Sequence, residues 1–162
     1  MTTKNRTTHR QGDVLVERVS KTPATLTEIP REAGRIVLAH GEATGHAHAL
    51  DAPDVRLVAD SNGGRFLLLN ECAHPDLVGG GTIGGKVVEP LDALVRFQRE
   101  DGTFIRFQKD DIEVGAGGVK VVADLALLRH EEHDAHALRT GHAYRVTRQR
   151  EYSPESVRTV AD

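Results

Sequence analysis

Leu94-Val-Arg-Phe-Gln-Arg-Glu-Asp101-Gly102-Thr-Phe-Ile-Arg-Phe-Gln108 is the stretch whose reading decides the fold. Apolar side chains fall at every second position on both sides of Asp101-Gly102, the period of a strand with one face in a core. Asp-Gly between two such arms is the composition of a two-residue type I′ hairpin, because both residues tolerate the positive φ angles that turn requires. The stretch therefore predicts two antiparallel strands and a mainly β protein.

Moving outward, the same alternation and β-branched enrichment recur in Gln11-Gly-Asp-Val-Leu-Val-Glu-Arg-Val19 and Gly34-Arg-Ile-Val-Leu-Ala-His40. Shorter β patterns follow at Val55–Val58, Arg65–Leu69 and Gly85–Glu89, while Val119–Leu128 fits a buried strand better than a short helix. Gly141–Tyr152 also alternates. The glycine-rich Gly79–Gly85 lacks the Lys-Ser/Thr of a phosphate loop and reads as a flexible turn. Ser153-Pro154-Glu155 carries the chemistry of a helix start and predicts a short C-terminal helix. The fold expected is a single-domain β-barrel or two-sheet sandwich over residues 11–162, preceded by a polar, disordered leader at 1–10.

The chain has 162 residues, 38% of them hydrophobic, which suits one ordinary core. Its 21 basic and 24 acidic side chains leave a formal charge of -3, which excludes a global attraction to nucleic acid or anionic lipid. No run approaches the roughly 20 apolar residues of a membrane-spanning helix. The single cysteine, Cys72, cannot form an internal disulfide, and the N-terminus has no signal-like apolar run, so a cytoplasmic location is expected.

Nine histidines are the chemical signal, and seven of them group as His40, His46 and His48, then His130, His133, His136 and His142. Imidazole is the commonest protein ligand for transition metals. The i, i+2 spacing of His46 and His48 points both rings to one side of a strand. His130 and His133, three apart in a turn, could complete a four-histidine site for a divalent ion such as zinc, iron, manganese or nickel. Glu42 and Glu132 are the candidates to move a proton from metal-bound water in a hydrolase or lyase reaction. His136 and His142 are weaker candidates, and His9 reads as incidental. In Glu71-Cys72-Ala-His74, Cys72 and His74 could ligate a metal or pair as nucleophile and base, but a buried thiol beside a turn histidine fits better.

The alternative is a non-enzymatic phage- or plasmid-associated module whose histidines stabilise loops or a homo-oligomer interface. Arg145, Arg148 and Arg150 add the option of RNA contact. Whichever reading holds, the ligand is an unidentified small molecule or macromolecule.

Gln11-Gly-Asp-Val-Leu, His40-Gly-Glu-Ala-Thr-Gly-His-Ala-His48, His130-Glu-Glu-His133 and Tyr144-Arg-Val-Thr-Arg-Gln-Arg-Glu-Tyr152 together resemble a group of small bacterial and phage proteins of uncharacterised function. That resemblance implies one module with a variable middle section at about residues 55–125. Gly45-His46-Ala-His48 also resembles the paired histidines of the cupins, which implies a small β-barrel with His133 in the later ligand position.

Overall fold

A computed structural model describes residues 7–41, 45–70, 73–152 and 157–159, and of residues 150–152 and 157–159 the backbone alone. Among these residues seventeen strands and no α-helix are found. In chain order they are β1 (Thr8–Gln11), β2 (Val14–Val19), β3 (Thr27–Ile29), β4 (Ile36–His40), β5 (Ala47–Leu50), β6 (Val55–Ala59), β7 (Arg65–Leu69), β8 (Thr82–Pro90) and β9 (Leu94–Arg99). Then come β10 (Phe104–Gln108), β11 (Ile112–Gly115), β12 (Gly118–Val121), β13 (Leu125–Leu128), β14 (Ala135–Arg139), β15 (His142–Arg148), β16 (Arg150–Tyr152) and β17 (Val157–Thr159).

The opening stretch forms the β9–β10 hairpin, with Phe97 opposite Ile105 and Val95 opposite Phe107. All four are buried, and the Phe97 and Phe107 rings meet edge to face at 5.9 Å. Each fully buried Phe contributes on the order of 2–3 kcal/mol. The turn differs from the one expected. Arg99 N donates to Thr103 O (2.8 Å) and Gly102 N to Arg99 O (3.0 Å), so three residues, Glu100 to Gly102, form the loop. Only Gly102 takes a positive φ, +89°. The Asp101 carboxylate instead accepts from Thr103 N (2.9 Å), so its use is local capping rather than tolerance of the left-handed region.

Two large sheets carry most of the chain. One runs β1-β2-β15-β7-β6-β3, the other β11-β12-β8-β9-β10-β14-β13, while β4-β5 and β16-β17 are separate hairpins. The β13 and β14 strands are buried on both faces and divide the apolar interior. Ala126, Leu128 and Leu138 face a cluster with Val14, Val16, Leu57, Leu67 and Tyr144. Leu125, Leu127 and Ala137 face a second cluster with Phe97, Ile105, Phe107 and Val121. Among the described residues the single core expected from composition is thus two large clusters sharing a wall, with Val37, Ala47 and Ala49 as a small third. Double burial also explains why Leu-Ala-Leu-Leu shows no alternation.

Strands β11 and β13, the two edges of the seven-stranded sheet, both bury residues in the second cluster, so this sheet curls around its own core. Among the described residues no sheet closes into a barrel. Among the described residues the predicted C-terminal helix is absent: Val157–Thr159 pairs antiparallel with Arg150–Tyr152, while its expected start, Ser153-Pro154-Glu155, lies outside the described residues. Thr8 to Arg10, expected in the leader, instead pair with β2, and His9 is buried. The glycine-rich turn is shorter than read, since Gly84 and Gly85 belong to β8. Among the described residues no helix is long and apolar enough to cross a membrane.

Candidate metal centre

The two histidine clusters meet. A backbone bridge fixes them: Ala49 N donates to Arg129 O (3.0 Å) and Arg129 N to Ala49 O (2.9 Å), tying β5 to the start of the β13–β14 loop. Two residues away along each segment, Ala47 N donates to Glu131 Oε2 at 2.9 Å. Burial alone would raise the Glu131 carboxyl, but this bond, the residue's own amide and the His130 and His46 imidazoles draw it below the ordinary carboxylate range.

Four rings then converge. His48 lies 4.3 Å from His130 and 6.1 Å from His133, centroid to centroid; His130 lies 4.7 Å from His133 and 5.9 Å from His46. His46 precedes β5 proper, yet its ring reaches the same group as that of His48. Glu132 Oε1 stands 3.5 Å from His46 Nδ1, on the exposed rim. A groove of about 610 Å³ opens there, lined among others by Arg96, Arg129, His130, Glu132 and His133. Glu42, the other proton-moving candidate, lies outside the described residues, as does Cys72.

The β1–β2 turn supplies what the sequence reading missed. Gln11 pairs with Val14, leaving Gly12 and Asp13 as a two-residue turn, with Gly12 at φ +57°. Gln11 and Asp13 are both buried. Gln11 Nε2 donates to Leu128 O (3.1 Å) and Asp134 O (2.9 Å), clamping both ends of the loop that carries His130 and His133. Its amide orientation is therefore fixed, and Oε1 accepts from His48 Nδ1–H at 2.8 Å. That bond orients the His48 ring, whose Nε2 stands 3.3 Å from Asp13 Oδ1. The other carboxylate oxygen of Asp13 accepts from Arg148 Nε (2.6 Å), and Arg148 also donates to His40 O (2.9 Å).

Gly12 is where the rings press on the backbone: a Cβ there would stand 2.8 Å from His133 Nε2 and 3.2 Å from His48 Cε1. His130 is held differently from His48, because its Nδ1 accepts from Glu132 N (3.0 Å), placing the proton of the neutral ring on Nε2. Three further polar atoms, His46 Nδ1, His133 Nε2 and Asp13 Oδ1, are buried without a hydrogen-bond partner. Such atoms cost about 1–3 kcal/mol each. Among the described residues no group of three or more His, Cys, Asp or Glu side chains is already gathered in a metal-holding arrangement.

The remaining histidines stand apart. His9 and His136 share a buried Nδ1–Nδ1 hydrogen bond of 3.3 Å beside Tyr144. Burial lowers both, His9 to about 4 with help from Arg18, and His136 to about 3 with help from His9 and Arg106. His40 pairs with Glu32 at the surface. His74 accepts from Asp76 N through Nδ1 and meets Arg129 through Nε2, so it belongs to another surface. Of the arginines considered for RNA, Arg148 is engaged with Asp13, and only Arg145 has a side chain described as exposed.

Fold and site together define a mainly β protein with a half-buried histidine cluster where one hairpin meets a distant loop. A family model described as Domain of unknown function (DUF8820) matches residues 10–77, which include Gln11, Gly12, Asp13, His46 and His48 but neither His130 nor His133. No curated protein and no solved structure matches the chain.

Proposed function

We propose that the histidine cluster is a divalent-metal site, with His48 as its anchoring ligand and His46 and His133 as further imidazoles. The observation that carries this reading is the convergence of the His46, His48, His130 and His133 rings, with the His48 ring oriented by Gln11 Oε1 through Nδ1, the outer-shell arrangement that metal-ligating histidines use. The unsatisfied His46 Nδ1 and His133 Nε2 support it, since an ion would satisfy both where no protein donor does. Binding turns packed rings into converging ligands by side-chain rotation. His130 is the least suited of the four, because ligation through Nε2 would break its bond from Glu132 N.

If the ion carries a reaction, the candidate chemistry is metal-assisted hydrolysis or a lyase step. Glu132, half exposed at the groove and next to His46, is the described carboxylate best placed to exchange a proton with bound water.

Elemental analysis of the untagged chain after loading with zinc, iron, manganese or nickel tests the reading. One ion per chain is expected, lost in a His48→Ala, His133→Ala variant that keeps its β circular-dichroism signal. Substoichiometric metal under every loading condition refutes it.

A further inference from the structure

We infer that the cavity at the open edge of β13 is a binding site for a small monocarboxylate with an apolar body, held by the Leu127 amide and the Arg129 guanidinium. The inference stands apart from the metal reading above.

A gap in the edge is the first argument. β13 ends the seven-stranded sheet, and two neighbouring segments cover its free edge in part. Leu125 N donates to Leu77 O (3.0 Å) and Leu125 O accepts from His74 N (2.8 Å), while both backbone groups of Arg129 bond Ala49. Alternate residues of a strand turn these groups to the same side, so the Leu127 N–H and C=O face the stretch in between. The antiparallel register that opposes Ala49 to Arg129 would oppose Asp51 to Leu127. That pair does not form, and among the described residues neither Leu127 group meets a backbone partner on this side. Leu127 is buried, and a buried amide without a partner is rare.

The cavity fits that gap. About 330 Å³ in volume, it is lined by segments 51–53 and 73–75 together with Leu127 and Arg129. Apolar walls with a few convergent polar groups are the form of a small-molecule site.

Charge is the second argument. Asp76 N donates to His74 Nδ1 (3.2 Å), and Arg129 Nη2 stands 3.1 Å from His74 Nε2. A neutral imidazole has one lone pair, so in either tautomer one of these two donors faces an N–H. A protonated ring would accept from neither, and burial, Arg129 and Arg99 hold the His74 pKa down against Asp76 and Asp51. Arg96, Arg99 and Arg106 each pair with a carboxylate; Arg129, among the described residues, pairs with none. A ligand carboxylate supplies the missing acceptor to Arg129 and to the Leu127 amide. Asp51 in the same lining repels a second negative charge, which favours a monocarboxylate over a phosphate ester.

Benzoate is the probe, titrated into the untagged, isotope-labelled full-length chain in the presence of a metal chelator while backbone amide signals are followed by NMR. Saturable shifts at Ala52, Ala73, Leu127 and Arg129 are expected, with a Kd of about 1 mM or tighter. Uncharged benzamide and dianionic phenyl phosphate should each bind at least about tenfold more weakly. Arg129→Gln keeps the backbone bridge to Ala49 and should weaken benzoate at least about tenfold. Ala73→Leu, which fills the cavity and leaves Arg129 in place, should abolish the shifts. Absence of saturable shifts, shifts confined to His130 and Glu132 in the adjoining groove, or wild-type affinity in Arg129→Gln overturns the site. Tighter binding of phenyl phosphate than of benzoate overturns the monocarboxylate class. With chelator present, each of these outcomes leaves the histidine reading standing.

Discussion

Replacing Gly12 by Ala isolates the contact on which the centre is built. At φ +57° an L side chain costs about 1 kcal/mol in backbone strain. The added Cβ would also sit 2.8 Å from His133 Nε2, about 0.6 Å inside the 3.4 Å where ordinary contact begins, with His48 Cε1 at 3.2 Å. Forcing such a contact in packed surroundings costs a further 1–3 kcal/mol, roughly. Gly34 is the matched control: its φ is +79° and nothing lies within 4 Å of its would-be Cβ, so Gly34→Ala carries the backbone cost alone. Urea unfolding should show Gly34→Ala losing about 1 kcal/mol and Gly12→Ala about 2–4 kcal/mol, with unchanged m values. Cobalt(II) affinity should fall only in Gly12→Ala. Equal losses in the two variants, or a Gly12→Ala chain that binds metal as wild type does, would refute the claim that the rings are packed against this turn.

Acid should unfold the protein through His9 and His136. Both folded values, about 4 and about 3, lie below the ordinary 6.5, so the unfolded chain takes up protons first; their stability contribution is complete above pH 6.5 and declines as pH falls towards 4. His9 alone should account for about 2–3 kcal/mol between pH 7 and 4.5, read by urea titration, and a pH-independent unfolding free energy over that range sinks the idea. Gln11→Ala strands Leu128 O, Asp134 O and the His48 donor, for an expected loss of about 2–4 kcal/mol; a loss under 1 kcal/mol would show that the clamp is dispensable. Asp134→Ala leaves Arg96 and Arg106, directly opposed across β9 and β10, without their shared carboxylate. Its melting temperature should drop and be partly restored by added salt, and a drop that salt does not change contradicts this explanation.

Local patterns were legible and long-range ones were not. The β9–β10 hairpin, the spacing that brings His46 and His48 to one group, and most strands follow from alternation within a few residues. The turn type was misread because Asp-Gly serves both a two-residue and a three-residue loop, and only the hydrogen bond from Arg99 N to Thr103 O separates them. The helix expected to follow Ser153 rested on three residues, while Val157–Thr159, where it would run, pairs with β16 instead. His9 looked incidental because its neighbours are polar, yet pairing with β2 carries it inside. Gln11 and Asp13 carried a signal that could have been used: two polar residues flanking a glycine immediately before the buried Val14 and Val16. Turn chemistry explained them too easily, and nothing local says that one reaches Leu128 and the other Arg148.

The placement of the centre follows from which strands must be immobile. His130 and His133 sit on the loop between β13 and β14, the two strands buried on both faces, so that loop hangs from the most constrained part of the interior. His46 and His48 sit on a hairpin outside both large sheets, joined to that loop by the Ala49–Arg129 bridge and the Ala47–Glu131 bond. The β1–β2 turn closes the third side through Gln11. Three segments, from residues 11–13, 46–48 and 129–134, must therefore be docked for the whole cluster to assemble. The family model spans the first two of these segments and stops at residue 77. A ligand bound across all three would stabilise their docking by mass action, so metal should raise the unfolding free energy of the whole chain and not merely order one loop.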